Sequence, residues 1–221
     1  AYLALLNMQL ERRIESHAAL ELAQLKIAAS DFAGAITLLE RAQKAASAGE
    51  AQSSFEARCT YLKGICQWRA GQPAQAAQTL GDFEATYPDS ELRDSAAITL
   101  GEALLASNQA SQAVKVLSLV AERATQPPTQ SAALLRLGEA AAAASDWAAS
   151  ERAFARHREL FEDSDQWFRA AFGLGFALEN AGKREAAIAS YRTVIAGHDG
   201  ATAARAQFQI GELWRTLHGY R

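Results

Sequence analysis

One short phrase recurs along this chain, and the interval at which it recurs leaves few folds open. "SDFAGAITLLERAQ" from Ser30, "GQPAQAAQTLGDFE" from Gly71, "NQASQAVKVLSLVA" from Asn108, "SDWAASERAFARHR" from Ser145 and "GKREAAIASYRTVI" from Gly182 each carry a turn residue followed by an amphipathic helical stretch. Seven positions before each turn stands a small residue, Ala23, Gly64, Gly101, Gly138 or Gly175, and Gly211 opens a sixth copy. The interval is 37 residues from Gly64 to Gly101, Gly101 to Gly138 and Gly138 to Gly175, and 36 from Gly175 to Gly211. The first interval, Ala23 to Gly64, is 41. Its excess falls in "AASAGEAQSS", which reads as a longer loop from its small residues and glycine.

Spacing inside each copy specifies a pair of helices. Before the turn, apolar residues fall three and four apart, as in Leu134, Leu137 and Ala141 or Phe172, Gly175 and Leu178, the periodicity of a helix with one buried face. At the turn stand Gly71, Asn108, Ser145 and Gly182, and Gly or Asn accepts the positive φ that closes a helix C-terminus at little steric cost. Twelve residues after the first small residue comes Ala35, Ala76, Ala113 or Ala187, with Ser150 in the fourth copy. Small residues at both places let two antiparallel helices approach closely. The large residue four further on, Leu39, Leu80, Leu117, Phe154 or Tyr191, then fills the space between them. A helix pair of this size cannot bury its apolar face alone, so it stacks on its neighbours. The expected fold is all-α, an α-solenoid of about six helix-turn-helix units near residues 16–56, 57–93, 94–130, 131–167, 168–203 and 204–221, with 1–221 as one domain. Residues 1–15, "AYLALLNMQLERRIE", lack Gly and Pro. They either lengthen the first helix, which then runs to about Ala29, or form the second helix of an earlier unit.

Composition removes several functions. Hydrophobic residues make up 49% and charged residues 21%, the balance of a folded rather than a disordered chain. Apolar runs such as Ala140 to Ala144 are far short of the roughly 20 residues of a membrane span. Net charge is −3 with a pI near 5.9, and charged clusters such as Glu11-Arg12-Arg13 and Lys183-Arg184-Glu185 mix signs. No basic stripe tracks a phosphate backbone, so no nucleic-acid partner is expected. No basic segment followed by an apolar one marks a secretory signal. The first residue is not Met, which reads as a processed product or a piece of a longer protein, and the compartment stays open.

Nor does the chain read as an enzyme. His17, His157, His198 and His218 lie far apart and at different positions of the repeat, giving neither a metal-ligand spacing nor a nucleophile-base pair. No phosphate-cradling loop of the GxxxxGK[ST] or GxGxxG type occurs, so no cofactor is expected. Cys59 and Cys66 sit seven apart on one expected helix, about 10 Å along its axis. That is too far for a disulfide, and both read as packed thiols.

A glycine at the eighth position, a turn residue at the fifteenth, Ala at the twentieth and a large apolar residue at the twenty-fourth resembles the tetratricopeptide repeat, over roughly residues 16–221. The second unit, from Ala57, is on pattern with Gly64, Gly71, Ala76, Leu80 and Pro88. It departs at Thr60, where a large aromatic is usual, and at Lys63, where Leu is. The resemblance implies a right-handed α-solenoid whose first helices line a concave groove through the second, fifth, ninth, twelfth and thirteenth positions. By that rule the partner-binding candidates are Arg58, Tyr61, Ile65, Trp68 and Arg69, then Glu102 and Glu139, then Arg169, Phe172 and Phe176, and finally Arg205, Phe208 and Glu212. Aromatic residues and Arg are enriched at binding hot spots, although aromatics at helical spacing are more often core. The sixth position, Asn in repeats that clamp chaperone C-termini, is Leu62, Thr99, Arg136, Gly173 and Gln209 here, which disfavours that ligand. "YPDS" at residues 87–90 resembles the turn of bacterial cell-envelope repeats of the TolA-binding coordinator and Bam-complex lipoprotein type, with "FEDSDQW" from Phe161 as an echo. Any helical repeat could equally use Pro88 to stop one helix and Asp89-Ser90 to cap the next.

The expected function is that of a non-catalytic scaffold that binds a protein or peptide in its groove, periplasmic or envelope-associated, with a cytoplasmic location as the alternative. Two other readings stand beside it. One is a docking or regulatory arm of a larger enzyme or secretion machine, and the other a homo-oligomer assembling through its terminal repeats, because uncapped solenoid ends leave apolar faces open.

Overall fold

The computed structural model describes residues 2–46 and 50–218, with side chains over 11–46 and 53–217. Among the described residues every regular element is a helix. They are α1 (Tyr2–Ala28), α2 (Phe32–Ala45), α3 (Glu50–Arg69), α4 (Pro73–Gly81), α5 (Phe83–Thr86), α6 (Arg93–Ala106), α7 (Ala110–Arg123), α8 (Pro127–Ala143), α9 (Trp147–Leu160), α10 (Trp167–Asn180), α11 (Arg184–Gly197) and α12 (Ala201–His218). They form two compact units, Ala1–Gln109 and Ala110–Arg221. In the first, α1 packs on α2, α2 on α3, α3 on α4 and α4 on α6, and α3 also meets α6. In the second, each helix from α7 to α12 packs on the next, while α8 meets α10 and α10 meets α12. Within each unit the first helices of successive repeats therefore lie side by side.

The five turns are one motif built five times. Ser30, Gly71, Asn108, Ser145 and Gly182 all have φ between 59° and 76°. In each, the amide of that residue donates to the carbonyl three residues back and the next amide to the carbonyl five before it, as in Gly71 N to Trp68 O at 3.1 Å and Gln72 N to Gln67 O at 2.9 Å. This is the Schellman closure, which satisfies carbonyls a helix end would otherwise leave open. Asp31 and Asp146 then cap the following helix, accepting from Gly34 N at 2.9 Å and Ala149 N at 3.0 Å.

What sets the distance between paired helices is the glycine at the eighth position. A Cβ built on Gly64 would stand 2.6 Å from Leu80, on Gly138 2.6 Å from Phe154, and on Gly175 2.6 Å from Tyr191. Phe154 also fills the space where Gly173 would carry a side chain, so its ring is held between α8 and α10. The clamp position is occupied at Gly173 by this packing and has no room for Asn. Where Ser150 replaces the usual Ala, its hydroxyl donates to Gly138 O at 2.9 Å, which satisfies a buried polar group at the helix contact.

Three details differ from, or extend, the reading of the sequence. The long loop expected over "AASAGEAQSS" is mostly helix, since α2 reaches Ala45 and α3 begins at Glu50. Residues 47–49 lie outside the described residues. The second helix of the second repeat is broken at Gly81-Asp82 into α4 and the single turn α5, where glycine weakens the helix interior. Finally, the "YPDSELR" and "FEDSDQW" connectors are one structure. Ser90 N donates to Tyr87 O at 3.1 Å and Arg93 N to Ser90 O at 3.0 Å, as Ser164 N does to Phe161 O at 3.1 Å and Trp167 N to Ser164 O at 3.0 Å. The Ser90 and Ser164 hydroxyls accept from Leu92 N and Gln166 N, at 3.2 Å and 3.1 Å. Glu162 replaces Pro88, so the two turns have the Asp-Ser pair in common and not the proline.

Candidate functional site

The candidate residues sit on the first helices, and each unit presents its own set. In the first unit they come from α3 and α6. Arg58 is exposed and donates from Nη2 to Gln24 Oε1 on α1 at 2.9 Å. Tyr61, Ile65 and Trp68 are half-buried, and the Arg69 guanidinium lies 5.0 Å from the Trp68 ring centroid. Glu102, on α6, is half-buried as well. An open cleft of about 600 Å³ lies between the start of α3 and the YPDS connector, with Arg58 on one wall and Tyr87 to Leu92 on the other.

The second unit carries a denser array. Glu139 on α8 accepts from Arg136 Nη1 at 2.8 Å and, through its other oxygen, from Arg169 Nη2 on α10 at 2.7 Å. Arg169 also donates from Nη1 to Gln166 Oε1 at 2.9 Å. One carboxylate thus meets two guanidinium groups. Next to it along α10, Phe172 packs one side of its ring on buried Tyr191 at 5.4 Å and receives the Arg205 guanidinium of α12 at 4.8 Å from its centroid. Phe176 meets Trp147 edge-on at 5.9 Å and stays 37% exposed. Phe208 is 66% exposed, and Glu212 pairs with Arg215 at 2.6 Å.

One rule connects these contacts. Arg58, Arg169 and Arg205 occupy the second position of their repeats, and each reaches back to the preceding first helix. Arg58 finds Gln24 and Arg169 finds Glu139, both at the ninth position. Arg205 faces a repeat whose ninth residue is Phe176, and it lies instead over the Phe172 ring. A guanidinium serves either contact, because its plane matches a carboxyl group and also stacks on an aromatic face. The sequence named Arg58, Arg169 and Arg205 as candidates but not Gln24, and it marked Arg136 only as the residue at the clamp position. The recurring pair of ninth-position acceptor and second-position arginine was the signal available for Gln24.

Ionisation at the site follows burial. The Tyr191 hydroxyl is pushed up out of reach by desolvation and by its hydrogen bond to Glu179 Oε2 at 2.8 Å, so it stays a donor and ties down Glu179, a twelfth-position residue. Burial raises the thiols of Cys59 and Cys66 to about 11, which keeps both protonated and unreactive near neutral pH. Among the described residues no group of His, Cys, Asp and Glu gathers to hold a metal ion, and no helix is long and apolar enough to cross a membrane.

A tetratricopeptide repeat family model matches residues 20–91 and 98–165, and a second one matches 169–199. No curated protein sequence matches the chain. Among solved structures, the apo form of RapI superposes with a TM-score of 0.77 at 10% identity, over 90% of this chain and 59% of RapI. MamA from Desulfovibrio magneticus RS-1, residues 41 to the end, gives 0.69 at 17% identity, over 87% of this chain and 97% of that one. A Rap protein complexed with Competence and Sporulation Factor gives 0.56 at 17% identity, over 87% and 55%. The chain thus spans well under two thirds of the Rap proteins and nearly all of the MamA fragment. At these identities the structures establish a shared fold, and the residues matched by the repeat models, most of the sequence, establish the family: the chain belongs to the tetratricopeptide repeat family.

Proposed function

We propose that the protein is a non-catalytic interaction scaffold whose first-helix faces hold an extended segment or a helix of a protein partner. The observation that carries this reading is the second unit's surface, where Arg205 lies over Phe172 while Phe176 and Phe208 stand exposed beside them. Aromatic rings with a preordered guanidinium combine large apolar area and directed polar contact at small entropic cost, the make-up of binding hot spots. The Arg136, Glu139 and Arg169 network adds a preordered polar rim. Arg58, Tyr61, Ile65, Trp68, Arg69 and Glu102 supply the corresponding contacts of the first unit, and Glu212 a polar end to the second. A binding role for such a fold is supported by the Rap protein of similar fold solved in complex with Competence and Sporulation Factor.

Photo-crosslinking tests the assignment. A benzophenone side chain placed at Phe176 or Phe208 should capture the partner in the native organism, and the same group at Leu119 or Leu160, exposed on second helices, should not. Combined Arg205→Ala and Phe208→Ala substitutions should weaken the captured complex at least tenfold with helicity unchanged. Capture from Leu119 and Leu160 alone would move the site off these faces. The envelope location enters this reading through the YPDS connector alone, and the membrane and soluble fractions in which the crosslinked partner is found decide it.

A further inference from the structure

One core position of the repeat holds an apolar side chain in four copies and a histidine in the other. Counted by the repeat interval, His157 corresponds to Val120, Phe83 and Ala42 before it and to Val194 after it. All of them are buried. Phe83 rests on Tyr87 with 5.1 Å between ring centroids, and His157 on Phe161 with 5.4 Å, so an imidazole stands in for a phenyl ring at the entry to a connector. Packing alone is served by an apolar residue, as the other copies show. What histidine adds is a proton site that changes charge between about pH 5 and about pH 8.

The site accommodates the neutral ring and not the charged one. Nε2 lies 2.9 Å from Ser131 Oγ on α8, and Nδ1 has no hydrogen-bond partner. An imidazolium carries an N–H on both nitrogens, so the one on Nδ1 would lack an acceptor while a full charge sat in a buried site. The helices packed on α9 are α8 and α10, whose charged residues are Arg136, Glu139, Arg169 and Glu179. Glu139 is engaged by the two arginines and Glu179 by Tyr191. On α9 itself stand Glu151, Arg152, Arg156, Arg158 and Glu159, and none of them hydrogen-bonds to the ring. Burial accordingly holds the pKa of His157 below its ordinary value. Outside the site the balance reverses, because Glu162, Asp163 and Asp165 of the connector are exposed and acidic.

We propose that His157 is an acid-sensitive latch: when the ring takes up a proton it leaves its site and releases the connector over residues 161–166 from the end of α9. The connector leads straight to the candidate face. Phe161 N donates to His157 O at 2.9 Å, Trp167 N to Ser164 O at 3.0 Å and Arg169 N to Gln166 O at 3.0 Å. Gln166 Oε1 also accepts from Arg169 Nη1 at 2.9 Å, the other guanidinium nitrogen being held by Glu139. Release therefore removes one of the two side-chain contacts that orient Arg169. This last step rests on the binding face proposed above, whereas the opening of the latch does not.

Amide hydrogen exchange of the intact chain from about pH 7 to about pH 5, corrected at each pH for the intrinsic rate, tests the latch without any partner. Protection of the Phe161, Ser164, Trp167 and Arg169 amides should fall below the ordinary imidazole value of 6.5, by up to about tenfold per pH unit for one proton taken up on opening. Two sets of amides in the same molecule are controls. Tyr87, Ser90 and Arg93 make the matching bonds of the YPDS connector, where Phe83 cannot titrate, and Gly182 and Lys183 close the α10–α11 turn of the same unit. Both sets should keep their protection. His157→Val, the residue of two other copies, and His157→Gln should each abolish the fall at Phe161 and Ser164. A fall that persists in both variants overturns the proposal, as does constant protection in the wild type. Equal loss at Gly182 and Lys183 would show the whole unit opening, and overturns it too. A response at Phe161 and Ser164 that stops short of Arg169 would overturn the coupling to the candidate face.

Discussion

The two units pack by the same rule with different materials. In the first, Leu80 sits on Gly64, its branch carbon and both methyl groups against a single glycine. In the second, the Phe154 ring is held between Gly138 and Gly173 on two helices, and Tyr191 is seated on Gly175 with its hydroxyl fixed to Glu179. A leucine pressed from one side alone can shift as a whole away from an added methyl group. A ring gripped from two sides cannot move away from one without pressing on the other. The spacing of the repeat can therefore be the same throughout while tolerance to change differs from one unit to the other.

Alanine at the seat glycines measures that difference and carries the largest expected effect. Overpacking a filled site costs about 1–3 kcal/mol, and replacing a helical glycine by alanine returns about 1 kcal/mol. Gly173→Ala and Gly138→Ala should thus lower stability by up to about 2 kcal/mol in urea unfolding, whereas Gly64→Ala should stay within about 1 kcal/mol of neutral. Gly211→Ala, with open space around it, should raise stability by up to about 1 kcal/mol. Equal losses at Gly64 and Gly173 would show that Leu80 is as confined as Phe154 and would remove the contrast.

A second contrast is in titration. His157, in the second unit, is fully buried, with Nε2 2.9 Å from Ser131 Oγ and Nδ1 without a hydrogen-bond partner in the structure. Burial holds its pKa below the ordinary 6.5, so folded protein keeps the ring neutral while unfolded chain protonates it as pH falls. The sign follows: stability is unaffected well above 6.5, declines as pH drops through that value, and stops declining below the depressed folded-state pKa. The first unit has no buried histidine among its described residues, His17 being exposed. In melts from about pH 7 to about pH 5, the range in which imidazole changes charge, His157→Gln should remove part of the acid slope. An unchanged slope in His157→Gln would assign the acid sensitivity elsewhere.

How far the sequence revealed these features depends on whether backbone or side-chain rotamers decide them. The turns and seats were legible, because a positive φ and a missing Cβ impose their demand locally and recur at a fixed interval. Ser30 and Ser145 take the same left-handed conformation as Gly71 and Gly182. The YPDS turn was legible in one copy and undervalued in the other, since proline drew attention from the serine that both share. The contacts of the candidate faces were the least legible. Whether Arg169 points outward or back to Glu139 is a choice among rotamers of a long side chain, decided by what stands at the ninth position of the neighbouring helix. The reach of Arg205 over Phe172 likewise required knowing that α10 and α12 touch.

The smallest expected effect is one in which the two units should agree. Ser30 and Ser145 both sit at φ 60°, where a side chain with a Cβ is disfavoured by about 1–2 kcal/mol, and each is followed by an aspartate that caps the next helix. Glycine removes that cost but frees the unfolded chain, which cancels about 0.4–1 kcal/mol of the gain. Ser30→Gly and Ser145→Gly should therefore each stabilise the protein by only a few tenths to about 1 kcal/mol, read as matching shifts of the urea midpoint. The turns share their hydrogen bonds and lie outside the seats, so nothing that distinguishes Leu80 from Phe154 should reach them. A gain at Ser30 with a loss at Ser145 would mean that the difference between the units extends into the turns, and that helix packing, more than local backbone preference, holds Ser145 in its left-handed conformation.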